Sequence, residues 1–133
     1  MEQLNPREIN TTALAFIGDA VYEVFIRKYV MERGPHNADM LHRKAVFYVR
    51  AEGQAKAVKS LIRDFLTEEE IAFVKRARNH KSVSKSRSAG PVAYKLATAF
   101  EALIGYLYLD GQQERLAGVM EEAVSRIEGD KNE

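Results

Sequence analysis

The chain contains no cysteine. Disulfides, thiolate-ligated zinc and thiol nucleophiles are therefore excluded, as suits a cytoplasmic protein. No uncharged apolar run approaches the roughly 20 residues needed to cross a bilayer, so no membrane span is expected. The N-terminal Met1-Glu-Gln-Leu-Asn5 lacks a basic segment followed by an apolar one, so no signal peptide is expected. The phosphate-binding glycine loop, the dinucleotide-binding glycines, His-Glu-x-x-His and the serine elbow are all missing. His36, His42 and His80 are not at metal-ligand spacing and read as surface or capping residues. No acid occurs anywhere between Glu70 and Glu101.

What is present is an ordinary globular composition. With 133 residues, 46% of them hydrophobic, the chain is long enough for its own core and fits one domain. A formal net charge of +1 argues for no partner by itself.

Helical periodicity dominates, and no strand alternation, repeat or linker interrupts it. A first helix is predicted near 10–33, capped by Asn10 or Thr11 and ended by Gly34-Pro35. Along it Leu14, Ile17, Val21, Val24, Phe25 and Tyr29 recur at helical spacing. Asn37 starts a second segment with Met40, Leu41, Ala45 and Phe47. A third, near 50–65, carries Ala55, Val58, Leu61 and Ile62. These two are separate helices or one bent helix. Thr67-Glu-Glu-Glu70 is a capping box opening a helix to about Arg78. Residues 79–91, rich in serine, read as a loop. Pro91 suits the first turn of a helix over 92–109, which Asp110-Gly111 ends. Leu116, Val119, Met120, Val124 and Ile127 mark a last helix near 112–128, and 129–133 reads as a frayed tail. The expected fold is all-α, one domain over 1–133.

Two acids stand in the two most apolar helices. Asp19 follows Gly18, and Glu101 precedes Gly105 by one turn. A helical glycine costs roughly 1 kcal/mol relative to alanine. An acid in an apolar stretch gains nothing unless it is paired or binds a metal. The two costs together point to a site. Hard oxygen ligands suit Mg²⁺, which often takes only one or two carboxylates and fills its octahedron with water and phosphate. The acid-free interval holds Lys75, Arg76, Arg78, Lys81, Lys85, Arg87 and Lys95, interleaved with serines. This pattern reads either as a polyanion-binding segment or as a solvated loop. Its position directly before the Glu101 helix favours phosphate chemistry.

These residues resemble the ribonuclease III catalytic domain. That family's signature helix reads close to Glu-x-Leu-Glu-Phe-Leu-Gly-Asp-Ala-Val; here Thr12-Ala-Leu-Ala-Phe-Ile-Gly-Asp-Ala-Val21 stands. Its second acidic segment reads close to Asp-Thr-Phe-Glu-Ala-Leu-Ile-Gly-x-x-Tyr-Leu-Asp-Gly; here it is Thr98-Ala-Phe-Glu-Ala-Leu-Ile-Gly-Tyr-Leu-Tyr-Leu-Asp-Gly111. The family supplies four carboxylates to its metal site. Asp19 and Glu101 match two, whereas Ala15 and Thr98 occupy the other two positions and are not carboxylate ligands. The double-stranded-RNA-binding domain that normally follows is not expected here. These departures, with Leu41-His-Arg-Lys44 and Arg78-Asn-His-Lys81, look like the shorter bacterial branch called Mini-ribonuclease III.

The resemblance implies a dimeric endoribonuclease, dependent on Mg²⁺ held by Asp19 and Glu101 as catalytic ligands, that leaves 5′-phosphate ends. It implies a double-stranded substrate in the precursor of the large-subunit (23S) ribosomal RNA, and it raises a large-subunit ribosomal protein as a partner. RNA contacts are expected from Arg78, Lys81, Lys85 and Arg87, with His42, Arg43 and Lys44. Phe16 matches the aromatic that inserts into the partner protomer; from the residues alone it would be an ordinary core position. Two competitors stand beside the enzyme: a catalytically silent domain that only binds structured RNA, and a plain helical interaction module.

Overall fold

A computed structural model describes residues 4–80 and 90–129. All its long elements are helices: α1 Thr11–Arg33, α2 Ala38–Val49, α3 Ala51–Asp64, α4 Glu68–Asn79, α5 Pro91–Leu109 and α6 Gln113–Glu128, preceded by a 3-10 turn at Pro6–Glu8. The all-α expectation holds. The expected loop of 79–91 and tail of 129–133 fall largely outside the described residues.

The helix starts follow local chemistry. The Asn10 carboxamide accepts from the Ala13 backbone N–H at 2.8 Å, satisfying a donor the helix leaves open. Asn37 does the same for α2 through the Met40 N–H. Thr67 and Glu70 form the capping box of α4 in both directions. Pro91 occupies the first turn of α5. Gly111 turns the chain between α5 and α6 with φ of 75°, a backbone region that favours glycine. α2 and α3 are two helices: Arg50 is extended, with ψ of 156°, and separates them.

α5 is the centre, with α1, α3, α4 and α6 all packed on it. Nine of its residues, from Leu96 to Leu107, are buried. On α1 the buried line is Leu14, Gly18, Tyr22, Ile26 and Val30. Tyr22 meets Phe100 edge-on, with ring centroids 5.1 Å apart, and its hydroxyl donates to the Tyr48 carbonyl. Ile17, Val21, Phe25 and Tyr29 flank that line half-buried, but Val24 points outward. α1 is apolar on more than one side, so periodicity alone does not single out its packed face. On α2 likewise, Met40 and Phe47 are exposed and Ala45 is the buried residue. The faces of α3 and α6 fall as the spacing predicts: Ala55, Val58, Leu61, Leu116, Val119, Met120, Val124 and Ile127 are all buried.

Polar contacts tie α6 to the rest, among them the bonds from Arg126 to the Ser60 carbonyl and hydroxyl on α3. Glu128 accepts from the hydroxyls of Tyr29 (2.6 Å) and Tyr48 (2.5 Å). Arg115 grips Glu70 through two parallel bonds of 2.9 and 2.7 Å and also donates to the Phe65 carbonyl.

Candidate functional site

The site forms where α1 crosses α5. The crossing is close because both helices present glycine there. A Cβ on Gly18 would lie 1.7 Å from the Glu101 carbonyl oxygen, and one on Gly105 would lie 2.0 Å from that of Leu14. The helical cost of these glycines is thus accounted for: they let two backbones touch. Asp19 is next to the first glycine, and Glu101 is one turn before the second. The crossing therefore brings the two acids together from distant parts of the chain.

Their carboxyls are close enough to share a hydrogen bond. Burial, together with the Asp19 charge, pushes the Glu101 carboxyl well above the ordinary carboxylate range. Glu23, one turn after Asp19 on α1, adds a weaker push in the same direction. An amide N–H of Gln54, on α3, opposes it by donating to Glu101 Oε2 at 3.2 Å. The same nitrogen donates to the Val49 carbonyl at 2.7 Å. Asp19 is exposed and Glu101 half-buried, so Asp19 is the outer member of the pair.

Two like charges held together in partial burial are unfavourable unless a proton or a cation joins them. The donor set is all oxygen, which fits a hard divalent ion with water and phosphate completing its shell. The other two family positions add no charge. Ala15 is buried, and the Thr98 hydroxyl donates to the Tyr94 carbonyl of its own helix. Among the described residues, no three of His, Cys, Asp and Glu gather as a metal-binding group. Any ion here would be held by two carboxylates.

The remaining sequence candidates are spread out. Lys81, Lys85 and Arg87 lie outside the described residues. Arg78 is half-buried in the last turn of α4 and donates to Asn79. His42, Arg43 and Lys44 are exposed on α2. Lys44 donates to the Gly34 carbonyl at 2.8 Å, at the far end of α1 from Asp19. At ~1.5 Å per helical residue that is roughly 20 Å away, so the fold does not place Lys44 beside the carboxylates. The histidines read as capping or surface groups are so placed: His36 bonds the Met31 carbonyl at the end of α1, and His80 closes α4. Phe16 is not a core residue; it is 82% exposed on α1.

Sequence reasoning missed two members of this neighbourhood. Glu23 carried a signal, because it lies four residues after Asp19 and so on the same helical face. Gln54 carried none, since a single glutamine in an amphipathic helix is normally solvated.

The model of the Ribonuclease III domain matches residues 12–112, which include both acidic segments. The chain belongs to the ribonuclease III family. Within it, the resemblance is to the short branch: the Mini-ribonuclease 3 of Symbiobacterium thermophilum is 44% identical over 96% of this chain and 98% of its own. That of Enterococcus faecalis is 40% identical over 96% of both chains. A crystal structure of a Fusobacterium nucleatum protein superposes with a TM-score of 0.78 at 36% identity, covering 90% of this chain and 94% of that one. Membership makes the chain an endoribonuclease of double-stranded RNA. Among the described residues, no helix is long and apolar enough to cross a membrane.

Proposed function

We propose that Asp19 and Glu101 are the catalytic metal ligands, that the metal is Mg²⁺, and that the natural substrate is a double-stranded stem of the 23S ribosomal RNA precursor in the cytoplasm. The observation that carries this reading is the meeting of Asp19 and Glu101 at the α1–α5 crossing, where Gly18 and Gly105 let the two helix backbones approach closely.

A bound Mg²⁺ would polarise a phosphate oxygen and lower the pKa of a water that attacks phosphorus. The chain's own part is to hold the two carboxyls in one place, where a cation would take over from a proton in offsetting their repulsion. Asp19 lies at the exposed edge, where a phosphate backbone can approach, and Glu101 lies deeper. No side-chain nucleophile is required, and water attack with loss of the 3′ oxygen leaves a 5′-phosphate. A-form RNA presents a wide minor groove and its phosphates, so recognition is by shape and charge. The basic interval from Lys75 to Lys95, with Lys81, Lys85 and Arg87 at its centre, adjoins the Glu101 helix and supplies that charge.

A duplex has two strands, and the described residues hold one such carboxylate pair at the α1–α5 crossing. Two copies about a two-fold axis would set one pair against each strand. Phe16, Val24 and Met31 form an exposed apolar line on α1, a face suited to a second copy. A large-subunit ribosomal protein is a candidate for presenting the precursor.

The deciding experiment incubates the purified protein with a long RNA duplex and with a precursor stem of the large-subunit RNA, each with and without Mg²⁺. Metal-dependent fragments with 5′-phosphates are expected from both. Binding without cleavage under every metal condition would instead identify the silent RNA-binding domain. No affinity for either RNA at low salt would leave only the helical interaction module.

A further inference from the structure

We propose that Gln54 is a positioning residue: its carboxamide pins the Glu101 carboxylate to the α2–α3 corner and so sets the geometry in which the pair takes a metal. The inference rests on the reading of Asp19 and Glu101 as metal ligands.

Gln54 is 2% exposed, the one buried polar residue in the described core. It sits on α3 between the buried Gly53 and Ala55. Burying a carboxamide is unfavourable unless its hydrogen bonds are made. Nε2 makes two, to the Val49 carbonyl at 2.7 Å and to Glu101 Oε2 at 3.2 Å. Both partners are acceptors, so the amide orientation is fixed: the nitrogen must face them. Val49 is the last residue of α2. Its carbonyl is one of those that a helix end leaves without an intrahelical partner. A backbone point therefore anchors one side of the amide, and the metal-site carboxylate is held on the other.

The oxygen end of the same amide is different. Gln54 Oε1 is buried with no hydrogen-bond partner. An unsatisfied buried acceptor is a net loss that an apolar side chain of like volume would avoid. Stability alone thus does not account for a glutamine here. What it contributes is its pair of donors. The bond from Nε2 to Oε2 limits the freedom of the Glu101 side chain to swing, and the carboxylate would keep lone pairs free for an ion. A ligand held in this way by a neighbour's hydrogen bond needs no ordering when the ion arrives.

Gln54→Met removes both donors at similar volume. Three quantities decide the matter: Mn²⁺ affinity of the RNA-free protein by calorimetry, duplex affinity without metal, and cleavage as a function of Mg²⁺. In Gln54→Met the metal dissociation constant and the half-saturating Mg²⁺ are expected to rise roughly 10-fold, the usual size of such an effect. Duplex affinity and thermal unfolding are expected to stay at the parent's level or better. Unchanged metal affinity in a folded variant overturns the inference while leaving the metal reading intact. A parent protein that binds no Mn²⁺ and cleaves without metal overturns both. Should the methionine variant fail to fold, Gln54→Asn keeps the amide but withdraws it by one methylene. Its metal affinity must then fall in the same direction; parent-like affinity overturns the inference.

Discussion

Gly18 lies against the backbone of Glu101: a single added methyl at residue 18 would sit 1.7 Å from the Glu101 carbonyl oxygen. The site depends on this contact more directly than on any side-chain packing. It sets the separation of α1 and α5, and through that the distance between the two carboxyls.

Gly18→Ala should therefore destabilise the protein and remove cleavage together. Alanine gains up to ~1 kcal/mol of helix propensity, but the clash is with backbone and overpacking of this kind costs about 1–3 kcal/mol or more. Gly118→Ala on α6 is the control, because nothing lies within 4 Å of its added Cβ. It should stabilise by roughly 0.5–1 kcal/mol through propensity alone. Paired denaturant titrations read both; a Gly18→Ala protein as stable as its parent would contradict the close crossing.

Asp19→Asn and Glu101→Gln should each abolish Mg²⁺-dependent cleavage of a duplex. Each removes one charged ligand at nearly constant volume. Neither should lower the unfolding temperature of the metal-free protein, since burial disfavours a charge on Glu101 and the Asp19 charge disfavours it further. Near-parental cleavage by either variant would reject the pair as the metal site.

Much of this arrangement was legible in the chain, for definable reasons. Asn10, Asn37, Thr67, Glu70 and Pro91 act through local hydrogen bonds and fixed dihedrals, so their residue types announce the helix starts. Asp19 and Glu101 stood out because acid and glycine both oppose an apolar helix. The packed face of α1 was not legible. Val24 and Phe16 are as apolar as Tyr22 and Ile26, and only the tertiary partner decides which are covered. Gln54 was silent for the opposite reason: its importance comes from burial, which a lone glutamine does not encode.

The charge-rich segment gives a prediction that rests on sequence alone. Neutralising Lys81, Lys85 and Arg87 together should weaken duplex binding with little regard to base sequence. Each lost phosphate contact should flatten the log–log salt dependence by roughly one unit. Filter binding across a salt series measures it, and an unchanged slope would mark the segment as merely solvated.

Acid should loosen the α4–α6 clamp. Burial alone would raise the Glu70 carboxyl, but the Arg115 hydrogen bond, the Thr67 contacts and the Arg115 charge outweigh it and hold Glu70 below its ordinary value of 4.5. A carboxyl lowered in the folded state contributes stability above its unfolded value. That contribution disappears as pH falls through the folded one. Glu70→Gln should thus destabilise at neutral pH, by roughly 1 kcal/mol for a partly exposed pair that also caps a helix. The difference from the parent should shrink as pH drops below 4.5. Urea titrations at neutral and acid pH check the sign; a gap that widens in acid would be the wrong one.

Phe16 tests the assembly. At 82% exposure its ring contributes almost nothing to the protomer's core, and it continues into Val24 and Met31, exposed by 69% and 50% along the same helix. A core phenylalanine cut to alanine costs roughly 3–5 kcal/mol and leaves a cavity. Phe16→Ala leaves none, so the protomer should unfold at or near the parent's temperature. If the exposed line is covered by a second copy, a buried aromatic at its end is worth about 2 kcal/mol or more to association, which is roughly a 30-fold weaker dimer. Sedimentation at micromolar concentration should then show a dimeric parent and a folded, largely monomeric variant with weak cleavage, since one carboxylate pair would meet only one strand at a time. A monomeric parent would remove the two-fold arrangement. A Phe16→Ala protein that unfolds instead of dissociating would return Phe16 to the core.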